Sequence, residues 1–370
     1  MNDPDFLSAK LEERKATGAY RMLSGDKDGT MDFFSNDYLG LVSNGLLKGD
    51  QGSERTGSTG SRLLSGDSSI ALDLEQFLAD YHKEEAALLF QSGYMANLGL
   101  LSCIARRTDT VIYDKLAHAS LRQGIQLAPA KSYSFRHNDS IDLEDKIKRS
   151  SGQVYVVVES VYSMDGDLGD LERLASVCKK YQALLIVDEA HGTGTFGDGG
   201  RGLVNELNME DQVWARINTF GKAGGSHGAV VLGSAILIDY LKNFSKPFIY
   251  TTAPSDHSLS LIREAYSYFE DGSLQRTLNE RIKYFEERAA SYAFNSSIIP
   301  SKSAIRCLHL GCSEKAVSFA EVLQTNGIRC KAVRYPTVPK DGDRIRFCLH
   351  AHNTKEQIDY LVEKLSELPL

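Results

Sequence analysis

Short runs of wholly apolar residues recur along the first two thirds of this chain: AALLF at 86–90, TVIYD at 110–114, VYVVVES at 154–160, ALLIVDE at 183–189 and GAVVLGS at 228–234. A strand that is apolar on both sides must be covered on both faces, and helical patterns separate many of these runs. Leu74, Phe77, Leu78 and Tyr81 fall on one helical face opened by GDSS, and Leu171, Leu174 and Val177 repeat that spacing in DLERLASVCKKYQ. Alternating β and α segments with such strands predict an α/β fold built on a mainly parallel sheet.

After about residue 250 the texture becomes helix-rich, with short strands near AIRCLHLG and RIRFCLH and a last amphipathic helix, TKEQIDYLVEKLSEL. The 370 residues are therefore expected to divide into an N-terminal segment (1–45), a large α/β domain (46–270) and a smaller C-terminal α+β domain (271–370), packed together with a ligand cleft between them. With 42% hydrophobic and 25% charged residues the balance is that of a soluble globular protein. The start, MNDPDFLSAK, lacks the apolar stretch of a signal peptide, and no run reaches the roughly 18 to 20 apolar residues of a membrane span, so a cytoplasmic location is expected. A net charge of −7 disfavours nucleic acid as a partner. The six cysteines show no CxxC spacing and read as reduced packing residues.

Several familiar motifs fail on their context. VDEAH (187–191) matches a helicase acidic box, but the chain contains no GxxxxGK[ST] phosphate loop. GTGTFG (192–197) satisfies GxGxxG and is then followed by DGGRGL, which cannot open a pyrophosphate-binding helix. MDGDLGD (164–170) puts Asp170 where a calcium loop needs glycine, and reads as a solvated turn. His118, His191 and Asp188 lack any metal-ligand spacing, so no metal is expected.

One constellation survives. The carboxyl ends of the apolar runs deliver FQSGYMANLGLL, DKLAHASL, ESVYSMDGD and DEAHGTG, with TFGK further on, and ligands bind at such ends in open α/β sheets. Lys222 sits in NTFGKAGGSHGAVVLGS, among glycines and small residues that favour a bend over a helix. A lysine, a carboxylate, two imidazoles and a helix start together suit pyridoxal phosphate: its aldehyde condenses with an amine, its ring nitrogen needs a carboxylate and its phosphate suits free N–H groups. The amine must be neutral to attack, so its surroundings must lower it from an ordinary value of about 10.4.

From SNDYLGL (35–41) through GSTGSRLLSGD (57–67), HASL, ESVYSMDGD, VDEAHGTG, TFGK and PTVP (336–339), nearly the whole chain resembles the α-oxoamine synthases, pyridoxal-phosphate enzymes of fold type I. The resemblance implies that Lys222 joins the cofactor aldehyde, Asp188 pairs with the ring nitrogen, His191 lies near the phenolic oxygen and His118 stacks on the ring. Glu159 and Ser163 match further active-site positions, and Gly93, Tyr94 and Thr219 match phosphate contacts. Thr251 and Thr252, in IYTTAP, match the segment that reaches the phosphate of a neighbouring subunit, so a homodimer is implied. Arg346 matches the arginine that grips the substrate carboxylate, with Arg21 and Thr337 near the substrate entrance.

The implied reaction condenses an amino acid with an acyl thioester and releases carbon dioxide. Within the family, the lysine loop, GSRLLSG and PTVP look most like the branch that joins L-alanine to a pimeloyl thioester, carried by coenzyme A or a carrier protein, on the way to biotin. Branches using glycine or serine with other acyl groups are the alternative, followed by a fold-type-I aminotransferase and by a catalytically silent partner subunit, which would be expected to lose Lys222.

Overall fold

Hydroxyl side chains open many of the helices. Ser68, Ser92, Ser234 and Ser255 each accept a hydrogen bond from the backbone N–H three residues on, and Thr354 forms a reciprocal capping box with Gln357 at the start of the last helix, Lys355–Ser366. The structure, a computed structural model, describes residues 4–17, 20, 21, 23, 29–49, 57–335 and 337–369, so Pro336 of the PTVP motif lies outside the described residues. Contacts divide the chain into two compact units, one up to Thr30 and one from Met31 onward. The first contains helix α1 (Asp5–Ala16), whose residues are all exposed.

The second unit is organised by a seven-stranded sheet. In chain order the strands of this unit are β1 (Met31–Asp32), β2 (Ala86–Phe90), β3 (Thr110–Asp114), β4 (Lys131–Phe135), β5 (Val154–Glu159), β6 (Leu184–Asp188), β7 (Ala215–Thr219), β8 (Ala229–Gly233), β9 (Ile305–His309), β10 (Ile328–Arg329), β11 (Lys331–Val333) and β12 (Arg344–Cys348). The large sheet runs β2-β8-β7-β6-β5-β3-β4; β4, β3, β5, β6 and β7 are mutually parallel, and β8 runs antiparallel to both its neighbours. The five predicted strands are all present, and the mainly parallel sheet follows from them.

Double-sided burial explains the apolar runs. In β5, Val156 and Val158 pack with Leu174, Leu185 and Val187 on one face, while Tyr155 and Val157 pack with Ile186, Ile217 and Val231 on the other. Helices α2 (Ser69–His82), α3 (Gly93–Ile104), α4 (Ala119–Leu127), α5 (Ser140–Lys148) and α6 (Leu171–Tyr181) connect or cover these strands. Gly124 of α4 lies against α3, where a Cβ would stand 2.8 Å from the Asn97 carbonyl oxygen, so this glycine permits the close approach of the two helices.

A second, three-stranded antiparallel sheet is ordered β11-β12-β9, and β1 pairs in parallel with β10. The segment after β1 is bonded onto this part of the chain: the Cys348 N–H donates to Phe33 O and the Ala351 N–H to Tyr38 O. All six cysteines are free and four are buried.

The MDGDLGD expectation is corrected here. Its residues are buried or half-buried, because the turn docks on β9 instead of facing water. Gly166, at φ +75°, sits so close to Ile305 that a Cβ would fall 2.6 Å from its carbonyl oxygen.

Candidate active site

Five strands end at one edge of the large sheet and each delivers a polar group there. β2 leads into Gly93 and α3, β3 into His118 and α4, β5 ends in Glu159, β6 in Asp188 and β7 in Thr219. Glu159 and Asp188 are register partners across β5 and β6. Lys222 lies on the hairpin that joins β7 to antiparallel β8, closed by Phe220 N–H to Gly228 O, Ser226 N–H to Phe220 O and Gly225 N–H to Lys222 O. Gly225 takes φ +55°, and a Cβ there would press on Leu41 and Val42. That contact gives the small residues beside the lysine a physical reason.

The charges at this edge act on one another. Burial brings Lys222 down to about 8; the nearby Asp188 and Glu159 carboxylates oppose this shift and Arg346 adds to it. Burial, reinforced by Asp188, pushes the Glu159 carboxyl well above the usual range, while Lys222 acts the other way. Glu159 Oε1 accepts the His118 backbone N–H at 2.6 Å. Asp188 is held at both oxygens: Asn97 Nδ2 donates to Oδ2 at 2.7 Å and the Ala190 N–H to Oδ1 at 2.9 Å. His118 caps α4, and partial burial of its ring lowers its pKa, with Asp188 opposing the shift and Lys222 adding to it. His191 is buried 2.7 Å from the Tyr38 hydroxyl, and burial with the charge of Lys222 holds it neutral.

Arg346, on β12, reaches the same group from the smaller sheet. Its Nε donates to Ser163 O at 2.8 Å and its Nη2 to Asn36 Oδ1 at 3.0 Å, while Asn36 Oδ1 also accepts from Tyr38 at 3.1 Å. The turn carrying Ser163 is bolted in place by His137, which bonds Asp114 at 3.0 Å and Asp167 at 2.6 Å and stands edge-on to Tyr162. Burial works against a charge on His137, but the two carboxylates outweigh it and raise its pKa to about 9.

A raised histidine stabilises the fold fully below its unfolded value of about 6.5, and that contribution is lost as pH rises through about 9. The shift corresponds to at most about 3 to 4 kcal/mol, and solvent screening of the part-exposed ring reduces it. His137→Gln is therefore expected to lower the melting temperature most at pH 6 and little at pH 9.5. Equal losses at both pH values, measured by calorimetry, would remove the imidazolium clamp.

A sequence profile described as aminotransferase class I and II matches residues 28–365. The chain belongs to the class I and II aminotransferase family. Within that family it is an α-oxoamine synthase of fold type I, as its motifs implied. It is 36% identical to the 8-amino-7-oxononanoate synthase of Marinobacter nauticus over 98% of this chain and 96% of that protein. It superposes on a variant of serine palmitoyltransferase from S. paucimobilis with a bound pyridoxal phosphate–myriocin aldimine (TM-score 0.87, 26% identity, 98% and 96% covered). It also superposes on 8-amino-7-oxononanoate synthase from Francisella tularensis (TM-score 0.77, 28% identity, 92% and 98% covered).

Lys222, Asp188, His118, His191, Glu159 and Arg346 are joined by the bonds and charge interactions above. Thr219 packs on Gly93, where a Cβ would meet its Cγ2 at 2.6 Å, and Tyr94 follows on the first turn of α3, half-exposed. Thr252 O accepts from Gln91, two residues before Gly93, and Thr252 bridges Ser61; Thr251 precedes it. Thr337 lies in an exposed turn after β11, and Arg21 is exposed in the first unit.

Asn36, Tyr38, Asn97, Ser120 and His137 were given no role in the sequence reading, although the first two lie inside SNDYLGL and Asn97 inside FQSGYMANLGLL. Elsewhere Asp32, His350 and His352 bring ligand atoms within 4.8 Å of one another, but both His350 ring nitrogens are engaged, with Ser35 O at 3.0 Å and Asn353 Oδ1 at 3.2 Å. Among the described residues no helix is long and apolar enough to cross a membrane.

Proposed function

We propose that this α-oxoamine synthase condenses L-alanine with a pimeloyl thioester, releasing carbon dioxide and the carrier thiol, to give 8-amino-7-oxononanoate for biotin biosynthesis. The observation that carries the reading is a lysine lowered to about 8, set among Asp188, Glu159 and Arg346 at one sheet edge. The curated relative named for this product supports the choice of branch.

The residues present fit pyridoxal phosphate. Ser226 Oγ, in the Lys222 hairpin, is buried without a partner among the described residues, and Gly93 leaves a cradle that a Cβ would fill. Ser92 takes the Met95 N–H, and the Gly93 and Tyr94 N–H groups belong to the first turn, where no intrahelical partner exists. These groups with Thr219 would hold the phosphate, Asp188 the ring nitrogen, His118 the ring face and His191 the phenolic oxygen. When bound, the cofactor supplies an aldehyde for amines and a ring that withdraws electrons from the α-carbon.

The chain's residues then divide the work. Burial makes Lys222 easier to deprotonate than an ordinary lysine, so its Nζ would be the group that holds the cofactor and accepts the α-proton. Arg346 binds the substrate carboxylate. Its Nε–H and one Nη2–H are anchored on Ser163 and Asn36, which fixes the plane of the guanidinium fork for a carboxylate. Glu159, through the His118 N–H, fixes the start of α4. A homodimer completes the proposal: Leu63, Leu64 and Tyr250 are exposed beside the Thr251–Thr252 segment, and such apolar patches favour association.

The test is a matrix of amino acids against acyl thioesters, followed by thiol release. Alanine with a pimeloyl thioester is expected among the best pairs. The likeness to serine palmitoyltransferase makes serine with a long-chain thioester the second reading, and preference for that pair would replace the first.

A further inference from the structure

α3 is otherwise a packing helix. Ala96, Leu100, Leu101 and Ile104 are buried on it, yet Asn97, 2% exposed, sits among them with its Oδ1 lacking any partner among the described residues. A leucine would satisfy the packing better than a carboxamide with an orphaned oxygen, so the reason for the asparagine lies in its nitrogen. That nitrogen carries two hydrogens, and both are used: one meets Asp188 Oδ2 at 2.7 Å and the other Ser120 Oγ at 2.9 Å. Because an ionised carboxylate only accepts, the group facing Asp188 must be the –NH2, which fixes the orientation of the amide.

The consequence passes on to His118. Ser120 Oγ accepts from Asn97, so its own hydrogen is free to turn to His118 Nδ1, 2.7 Å away, and the Ser120 backbone N–H points at the same nitrogen at 3.3 Å. A ring nitrogen that receives two donors must present its lone pair, and the imidazole hydrogen then resides on Nε2. Gly124 makes the relay short by letting α4 approach α3 at Asn97.

We propose that Asn97 is a positioning residue that couples the two sides of the cofactor site, clamping Asp188 Oδ2 and, through Ser120, holding His118 as the Nε2–H tautomer. This rests on the proposed pyridoxal-phosphate site, but the tautomer itself can be read without it. Removing Asn97 frees one carboxylate oxygen and lets the Ser120 hydroxyl rotate, so both groups lose their fixed orientation together.

The experiment is 15N NMR of the histidine rings in the full chain, with and without pyridoxal phosphate, for the parent, Asn97→Leu and Ser120→Ala. In the parent, the His118 signals are expected to show Nδ1 unprotonated and Nε2 protonated. In Asn97→Leu they should move toward a mixture of tautomers, with kcat for thiol release falling ten- to a hundredfold and the amino-acid KM changing less than threefold. Ser120→Ala should reproduce the tautomer change while leaving the affinity for pyridoxal phosphate within threefold of the parent, which keeps the test open if Asn97→Leu folds poorly. A parent His118 protonated on Nδ1, or unchanged ring signals in both variants, overturns the proposal. Parent-like ring signals in the expected tautomer without cofactor binding or thiol release would instead overturn the proposed function and leave the relay standing.

Discussion

Lys222→Ala is expected to abolish thiol release, lowering turnover by roughly 10⁴-fold or more, because the same amine is nucleophile and base. The parent, loaded with pyridoxal phosphate, should be yellow, and borohydride should bleach it while fixing the cofactor to the peptide containing Lys222. Thiol release by the variant at the parent rate would end the mechanism. The pH dependence follows from the site. An ordinary lysine loses its proton near 10.4, whereas burial brings Lys222 to about 8. The rate at which cofactor-free protein regains colour should therefore rise with pH through a midpoint near 8 and level off above it. A midpoint near 10 would remove the role given to burial.

Asp188→Asn keeps the size of the side chain and removes its charge, so the fold should survive while α-proton exchange with solvent falls at least about a hundredfold. The substitution also removes one of the two carboxylates that raise Lys222. Its midpoint for colour regain should move below that of the parent, even as exchange is lost. These two effects run in opposite directions, so general damage to the site cannot imitate them: damage that let water in would return Lys222 toward its ordinary value. Parent-like exchange by this variant would refute the pairing of Asp188 with the cofactor ring.

The parts of the architecture written in short-range pattern were legible in the sequence. Doubly apolar runs announced β2, β3, β5, β6 and β8, and Ser68 followed by Leu74 and Leu78 announced α2. β4, KSYSF, is exposed along most of its length and among the described residues pairs only with β3, so no apolar run marked it. The motifs singled out Lys222, Asp188, His191 and His118, and each of them ends or follows a strand at one edge of the large sheet. What escaped was the set of groups defined by three-dimensional pairing: Asn36 under Arg346, Asn97 on Asp188 and His137 between two aspartates 23 residues before it and 30 after. Nothing in the spacing of an asparagine on an apolar helix says that its amide nitrogen faces a carboxylate. The acidic turn at 164–170 misled for a related reason, since Asp167 and Asp165 are met by His137 and Arg344 from distant segments.

The hairpin between β7 and β8 bears on the base role proposed for Lys222. In a long, loose connection a released side chain would sample a wide volume before meeting the proton it must remove. Here both ends of the loop are pinned to adjacent strands within the sheet, and three backbone bonds close the span from Phe220 to Gly228. Under the proposed function this would keep the Lys222 amine near the reacting atoms, at an effective concentration far above that of any base in solution. Lengthening this hairpin by a flexible insertion would leave every chemical group in place and still slow the step.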